Sequence, residues 1–152
     1  RGLHYLHSHC NILHRDLKPQ NICFEWDSAK KRVKRVCIID FNISKHVPKG
    51  VGKSLLHSLV GTPNYMANEV IEKQPYNCSV DICSFGNTIA CCLGWNNSTK
   101  PLINKHDAMS SVVERFCKLI MRCTDKQENE RPQLLVIENE LQLLLHIVEQ
   151  VK

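Results

Sequence analysis

An aspartate and an asparagine, Asp16 and Asn21, stand five residues apart in the segment HRDLKPQN at residues 14–21. A second aspartate, Asp40, directly follows the apolar run VCII at residues 36–39, which is typical of a buried strand. One aspartate can accept the proton of an attacking hydroxyl group, while an asparagine and a second aspartate supply the hard oxygen ligands that Mg²⁺ takes. If these groups act together, the fold must place the end of that strand next to residues 14–21.

Residues 14–21 resemble the catalytic loop of protein kinases, H-R-D-L-x-x-x-N, and agree with it at every fixed position. Asp40-Phe41-Asn42 resembles the D-F-G motif of that family, and residues 61–69, GTPNYMANE, resemble its segment G-T-P-x-Y-M-A-P-E. Residues 81–86, DICSFG, resemble D-x-W-S-F-G, and Arg131-Pro132 opens the last helix, where the family has an arginine. With five ordered matches over nearly its whole length, the chain is identified as a member of the protein kinases.

The resemblance implies which residues transfer a phosphoryl group from ATP to the hydroxyl of a protein serine or threonine. Asp16 would be the catalytic base, and Lys18 would neutralise charge on the transferred group. Asn21 and Asp40 would hold Mg²⁺, and Cys23 would form the floor beneath the adenine ring. The implied cofactors are therefore ATP and Mg²⁺.

Other matched positions imply structural roles. His14 is expected to pack under Phe41 and to bond to the backbone. Asp81 is expected to hold the backbone of residues 14–21 from the start of a helix. Glu69 is expected to form an ion pair with Arg131.

Regulation and specificity are also implied. Arg15 would clamp a phosphate through charge-assisted hydrogen bonds, with Ser58 as the first candidate acceptor and Ser54 as the second. The alternative is that both are ordinary loop serines. Lys18 and Thr62 resemble the serine/threonine-specific form of the motifs, and Thr62 would shape the pocket for the residue after the phosphoacceptor.

Two departures from the family pattern favour an alternative function. Asn42 stands where D-F-G has its glycine, a permissive backbone position, and Asn68 replaces the proline of A-P-E. A pseudokinase, a signalling scaffold with weak or no catalysis, is therefore the alternative to an active enzyme.

The implied fold is α+β overall and mainly α: the C-terminal, large lobe of the protein kinase fold with a small β-hairpin patch at the active site. We take residues 1–152 as this one domain, because 43% hydrophobic content suffices for one core. The chain opens inside a helical pattern, so we expect it to be a fragment that lacks the small lobe and is inactive alone.

Charge and cysteine content bear on partners and location. The net charge of +5 is largely local, because residues 30–35 carry five positive charges between two strand-like runs. We interpret them as a solvated hairpin tip, with a targeting or docking role as the alternative. We expect protein substrates and an upstream activating kinase, but no nucleic acid and no membrane segment; the oligomeric state is unknown. The nine cysteines include no C-x-x-C pair, so we expect no zinc site. With no signal peptide visible, the resemblance to kinases favours a cytoplasmic location, with the nucleus as the alternative.

Periodicity predicts a mainly helical chain. We expect a helix to about residue 9, strands over 11–13, 21–25 and 35–39, and a loop over 40–62. Ser79 is the expected N-cap of the helix over 79–93. The apolar stripe of the last helix predicts core packing, with a coiled coil as the alternative. The later helices are expected over 68–72, 79–93, 109–123 and 133–151.

Overall fold

A computed structural model describes residues 1–48, 56–95 and 108–150 of the chain. Within these ranges the protein has five α-helices and two antiparallel sheets of two strands each. In chain order the elements are α1 (Gly2–Ser8), β1 (Ile12–Leu13), β2 (Ile22–Asp27), β3 (Arg32–Ile38), β4 (Lys45–His46), α2 (Asn68–Ile71), α3 (Ser79–Cys92), α4 (Ala108–Cys123) and α5 (Leu134–Gln150). Mainly helical content with a small antiparallel hairpin agrees with the fold class expected from the sequence.

The β2–β3 hairpin has the predicted position but not the predicted burial. Both strands extend further towards the turn than expected, so the basic residues 32–35 lie within β3 rather than at the tip. Phe24 is 67% exposed and Val36 is 61% exposed. The prediction of a buried strand over 36–39 was therefore wrong. Among the described strands, β3 pairs only with β2, and apolar composition alone does not show whether another element packs against the face of a strand.

The second sheet was not predicted. Ile12 and Leu13 of β1 pair with His46 and Lys45 of β4, inside the stretch expected to be a loop. The Val47 N–H adds a hydrogen bond of 2.8 Å to the carbonyl oxygen of Asn11. The strand predicted over 11–13 corresponds to β1, but β4 was not predicted, because a strand of two residues has no measurable periodicity.

Two apolar clusters hold the helices together. The first joins β1, α2 and α3 through Leu13, Leu56, Ala67, Val70, Tyr76, Val80 and Cys83. The second joins α3, α4 and α5 through Ile82, Leu119, Cys123 and Ile137. Leu134 and Leu141 also pack on the second cluster, so the apolar stripe of α5 serves core packing, as predicted.

Close packing between α3 and α4 requires a glycine. A Cβ atom on Gly86 would lie 2.7 Å from Thr124 Cγ2 and 2.8 Å from Cys123 Cβ. The absence of a side chain at this position therefore lets the two helices approach each other.

The start of α3 differs from the prediction. Ser79 is the first helical residue rather than the N-cap, and its backbone N–H donates to Asn77 Oδ1 at 2.7 Å. Within the described part of the chain, Ser79 Oγ is buried without a hydrogen-bond partner. Asn77, a better cap former than cysteine, supplies the side-chain acceptor from just outside the helix.

Among the described helices, none combines the length and apolar character needed to cross a membrane.

Candidate active site

Asp81, in the first turn of α3, fixes the backbone of residues 14–16. Its carboxylate is fully buried and accepts hydrogen bonds of 2.8 Å from the N–H groups of both His14 and Arg15. His7 Nε2 lies 2.8 Å from the same carboxylate. Burial acts to lower the pKa of His7, but the hydrogen bonds to Asp81 and Cys78 outweigh it and raise the pKa to about 9. His7 is therefore a buried cation, and no motif in the sequence predicted it.

His14 links this loop to the end of the hairpin. Its Nε2 donates to the carbonyl oxygen of Ile39 at 3.0 Å, which places the ring proton on Nε2. The Asp16 N–H donates to His14 Nδ1 at 3.3 Å. The rings of His14 and Phe41 meet edge to face with centroids 5.0 Å apart. The contact expected between these two residues is thus present.

Asp16 lies at the centre of a polar network. Thr62 Oγ1 donates to Asp16 Oδ1 at 2.7 Å, and Lys18 Nζ lies 2.7 Å from Oδ2. Lys18 Nζ also donates to Thr62 Oγ1 at 2.9 Å, which closes a triangle. Asn21 Nδ2 donates to the backbone oxygen of Asp16 at 2.9 Å and to Oδ2 at 3.1 Å. The four residues that the sequence spreads over 47 positions are brought together here.

The network lowers the pKa of Asp16. Partial burial acts to raise the pKa of Asp16, but hydrogen bonds from Lys18 and Thr62 and the charge of Lys18 outweigh it. The pKa of Asp16 is therefore lower than its ordinary value, and the carboxylate is available as a proton acceptor.

Asn21 and Asp40 lie at the same end of the hairpin. The Ile39 N–H donates to the carbonyl oxygen of Asn21 at 2.9 Å, one residue before Asp40. Asn21 uses its amide nitrogen in both side-chain hydrogen bonds described above, so Oδ1 is the atom that would hold a metal ion. Asp40 is exposed. A carboxylate and an amide oxygen suit Mg²⁺, which also takes phosphate and water oxygens, so these residues fit the implied ion.

The left-handed backbone in this segment occurs at Asp40, with a φ of 64°, and Asn42 has no positive φ. Asparagine in place of the glycine of D-F-G therefore causes no left-handed strain at its own position in this structure.

Arg15 reaches the segment that contains Ser58. Its Nη1 donates to Ser58 Oγ at 2.9 Å and to Tyr76 Oη at 3.2 Å, and its Nε donates to the carbonyl oxygen of Ile43 at 2.7 Å. Tyr76 is 1% exposed and its hydroxyl lies 3.0 Å from Ser58 Oγ. Tyr76 has no motif around it, so the sequence did not predict its contact with Arg15. Ser54, the second candidate acceptor, lies outside the described residues.

Glu69 and Arg131 form the ion pair expected from the motifs. Arg131 Nη1 and Nη2 contact the two carboxylate oxygens at 2.5 and 2.9 Å. Asn68, which replaces the proline of A-P-E, is the first residue of α2 and leaves this pair intact.

Cys23 lies on the exposed part of β2. A cavity of about 560 Å³ opens beside the hairpin and is lined by residues that include Leu17, Ile22, Ile38 and Phe41. Ile22, rather than Cys23, is the β2 residue that faces this cavity.

Comparison with known sequences agrees with the geometry. The family described as protein kinase domain matches residues 1–150. The chain belongs to the protein kinase family. This kinase chain is 34% identical to the Inhibitor of nuclear factor kappa-B kinase subunit alpha of Xenopus tropicalis, over 95% of the chain and 20% of that relative.

Two other relatives match shorter stretches. The cAMP-dependent protein kinase type 3 of Saccharomyces cerevisiae is 44% identical over 56% of the chain and 18% of its own length. The Serine/threonine-protein kinase fused of Drosophila melanogaster is 42% identical over 56% of the chain and 9% of its own length. The kinase chain thus spans a fifth or less of the length of these relatives.

Proposed function

We propose that the protein is a serine/threonine kinase that transfers the γ-phosphoryl group of ATP to protein hydroxyls. The observation that carries this proposal is the network in which Lys18, Thr62 and Asn21 all contact Asp16. A carboxylate held at this point can accept the proton of an incoming hydroxyl. The name of the relative Serine/threonine-protein kinase fused supports serine/threonine specificity.

Each side chain has a distinct task in the proposed reaction. Asp16 accepts the proton of the substrate hydroxyl, and Thr62 orients the carboxylate through Oδ1. Lys18 neutralises negative charge on the group in transfer. Asn21 and Asp40 would hold Mg²⁺, which when bound neutralises the phosphate oxygens of ATP.

The test is phosphorylation of a generic serine/threonine protein substrate by the full-length protein with Mg²⁺-ATP. Asp16→Asn keeps the size of the side chain and removes the proton acceptor, so the rate should fall by about 10²–10⁴-fold. Glu140→Gln, on the exposed face of α5, is the matched control and should keep the rate of the parent. Equal rates for Asp16→Asn and the parent would reject Asp16 as the base. No transfer by the parent would favour the pseudokinase.

We also propose that phosphorylation of Ser58 by an upstream kinase activates the protein. Arg15 already donates to Ser58 Oγ, and Ser58 is exposed, so a phosphate there would meet a guanidinium without a large rearrangement. Ser58→Ala should abolish activation by an upstream kinase, while Ser54→Ala should retain it. The reverse result would assign the regulatory site to Ser54.

A further inference from the structure

Two cysteines face each other across the β2–β3 hairpin. Cys23 pairs directly with Cys37, and the neighbouring pairs on either side keep the same register, since the irregularity begins beyond Glu25. Directly opposed residues of antiparallel strands project from the same face, with Cα atoms about 4.5 or 5.5 Å apart. Disulfide bonds form across Cα separations of about 4.4–6.8 Å. The register therefore holds the two Cα atoms within the range that a disulfide bond spans.

Both thiols are accessible, and one has a cationic neighbour. Cys23 is exposed and Cys37 is partly exposed. Arg35 Nε donates a hydrogen bond of 2.9 Å to Cys37 Sγ, and this bond raises the pKa of Arg35 above its ordinary value. The guanidinium of Arg35 therefore places a positive charge beside a sulfur atom that an oxidant can reach.

Buried cysteines of the same chain behave differently. Burial raises the pKa of Cys83, and it raises the pKa of Cys123 to about 12. These two thiols stay protonated at neutral pH and are inert towards oxidants. Oxidation should therefore select the hairpin pair over the cysteines of the core.

We propose that Cys23 and Cys37 form a redox-active dithiol that hydrogen peroxide converts into a cross-strand disulfide. The sulfur of one cysteine attacks a peroxide oxygen, the O–O bond breaks, and a sulfenic acid and one water form. The second sulfur then attacks the sulfenic sulfur, which forms the S–S bond and releases a second water. Two electrons pass from the thiols to the peroxide, and the two thiol protons leave in the two waters.

The dithiol lies next to the candidate active site. Cys23 follows Asn21 by two residues, and Cys37 precedes Asp40 by three. The bond would cross-link the strands that carry these two polar residues. Its formation does not depend on the proposed kinase activity, because the chemistry needs only the hairpin and the oxidant.

Peptide mapping tests the proposal directly. The reduced, purified protein is treated with one equivalent of hydrogen peroxide, alkylated with iodoacetamide and cleaved with trypsin. The basic residues 30–35 separate the two cysteines, so Cys23 falls in peptide 16–30 and Cys37 in peptide 36–45, each with a single cysteine. We expect a joined pair of these peptides, two hydrogen masses lighter than their sum, that dithiothreitol separates.

Matched variants make the result specific. Cys37→Ser should abolish the joined peptides, whereas Cys91→Ser should leave them unchanged. Arg35→Gln should slow their formation at least threefold, and Arg32→Gln, on the same strand but away from the thiols, should not. Alkylation of both Cys23 and Cys37 after peroxide treatment would overturn the proposal, as would a bond from Cys23 to any other cysteine. Neither readout involves phosphoryl transfer, so failure of the proposed function would not affect this test.

Discussion

Replacement of Glu69 by glutamine should destabilise the protein strongly, because it leaves a buried cation without its counter-charge. The side chain of Arg131 is 0% exposed and that of Glu69 is 11% exposed, and the two meet through a bidentate contact. Breaking a buried ion pair by removing one partner costs about 3–5 kcal/mol. Glutamine keeps one oxygen acceptor but turns an amide N–H₂ towards the guanidinium, so no new contact restores the loss.

Urea unfolding followed by circular dichroism measures this effect. With a slope of about 2 kcal/mol per molar urea, the midpoint should fall by about 1.5–2.5 M. Glu140→Gln is the matched control, because it breaks the pair with Arg115 in which the side chains are 31% and 43% exposed. An exposed pair contributes about 0–1 kcal/mol, so the control midpoint should move by no more than about 0.5 M.

A second substitution separates loss of the pair from loss of packing. If the unpaired cation is the cause, Arg131→Met should cost less in the Glu69→Gln background than in the parent, with a coupling energy of about 2 kcal/mol. Equal midpoint shifts for Glu69→Gln and Glu140→Gln, or additive effects in the double variant, would refute the reasoning.

Three further predictions concern single side chains. Gly86→Ala should destabilise the protein by about 1–3 kcal/mol, because its Cβ atom would lie 2.7 Å from a side-chain atom. The control Gly2→Ala, whose Cβ atom would have its nearest neighbour at 3.7 Å, should be neutral or slightly stabilising. Equal urea midpoints for the two variants would contradict this prediction. The pKa of His7 is raised from 6.5 to about 9, so its ion pair contributes stability that is full below pH 6.5 and is lost as pH rises through about 9. Between pH 6 and pH 10, the melting temperature of His7→Gln should fall less than that of the parent protein. An equal fall in both proteins would refute the assignment of the raised pKa to His7. Lys18→Met removes an ammonium group that lowers the pKa of Asp16, so the pKa should rise in a carbon-13 carboxylate titration; no rise would show that Lys18 is not a cause.

Much of the fold followed from local pattern. The helices over 68–72, 79–93, 109–123 and 133–151 were predicted to within one or two residues, because a helix repeats its apolar face within a short window of sequence. The burial of the hairpin was predicted wrongly, because burial depends on what packs against a strand. The strand predicted over 11–13 contains β1, whereas β4, a strand of two residues without measurable periodicity, was missed.

Some polar residues of the candidate site were predicted from local sequence, and others were not. Motif spacing identified Asp16, Lys18 and Asn21, which lie within six residues of one another, so the chain itself keeps them close. It gave no sign of His7 beneath Asp81 or of Tyr76 beside Arg15, which are separated by 74 and 61 residues. Nor did it show that Cys23 faces Cys37, since a shift of one residue in strand register would separate them.

The sequence alone determined the family of this protein, the order of its helices and the candidate groups for phosphoryl transfer, because each depends on residues that are close together along the chain. The tertiary structure decided which distant polar groups meet and how far each is removed from water. The polar partners and the burial of each group set the charge state of His7, the lowered pKa of Asp16 and the strength of the ion pair between Glu69 and Arg131. Both arise only when separate elements pack together.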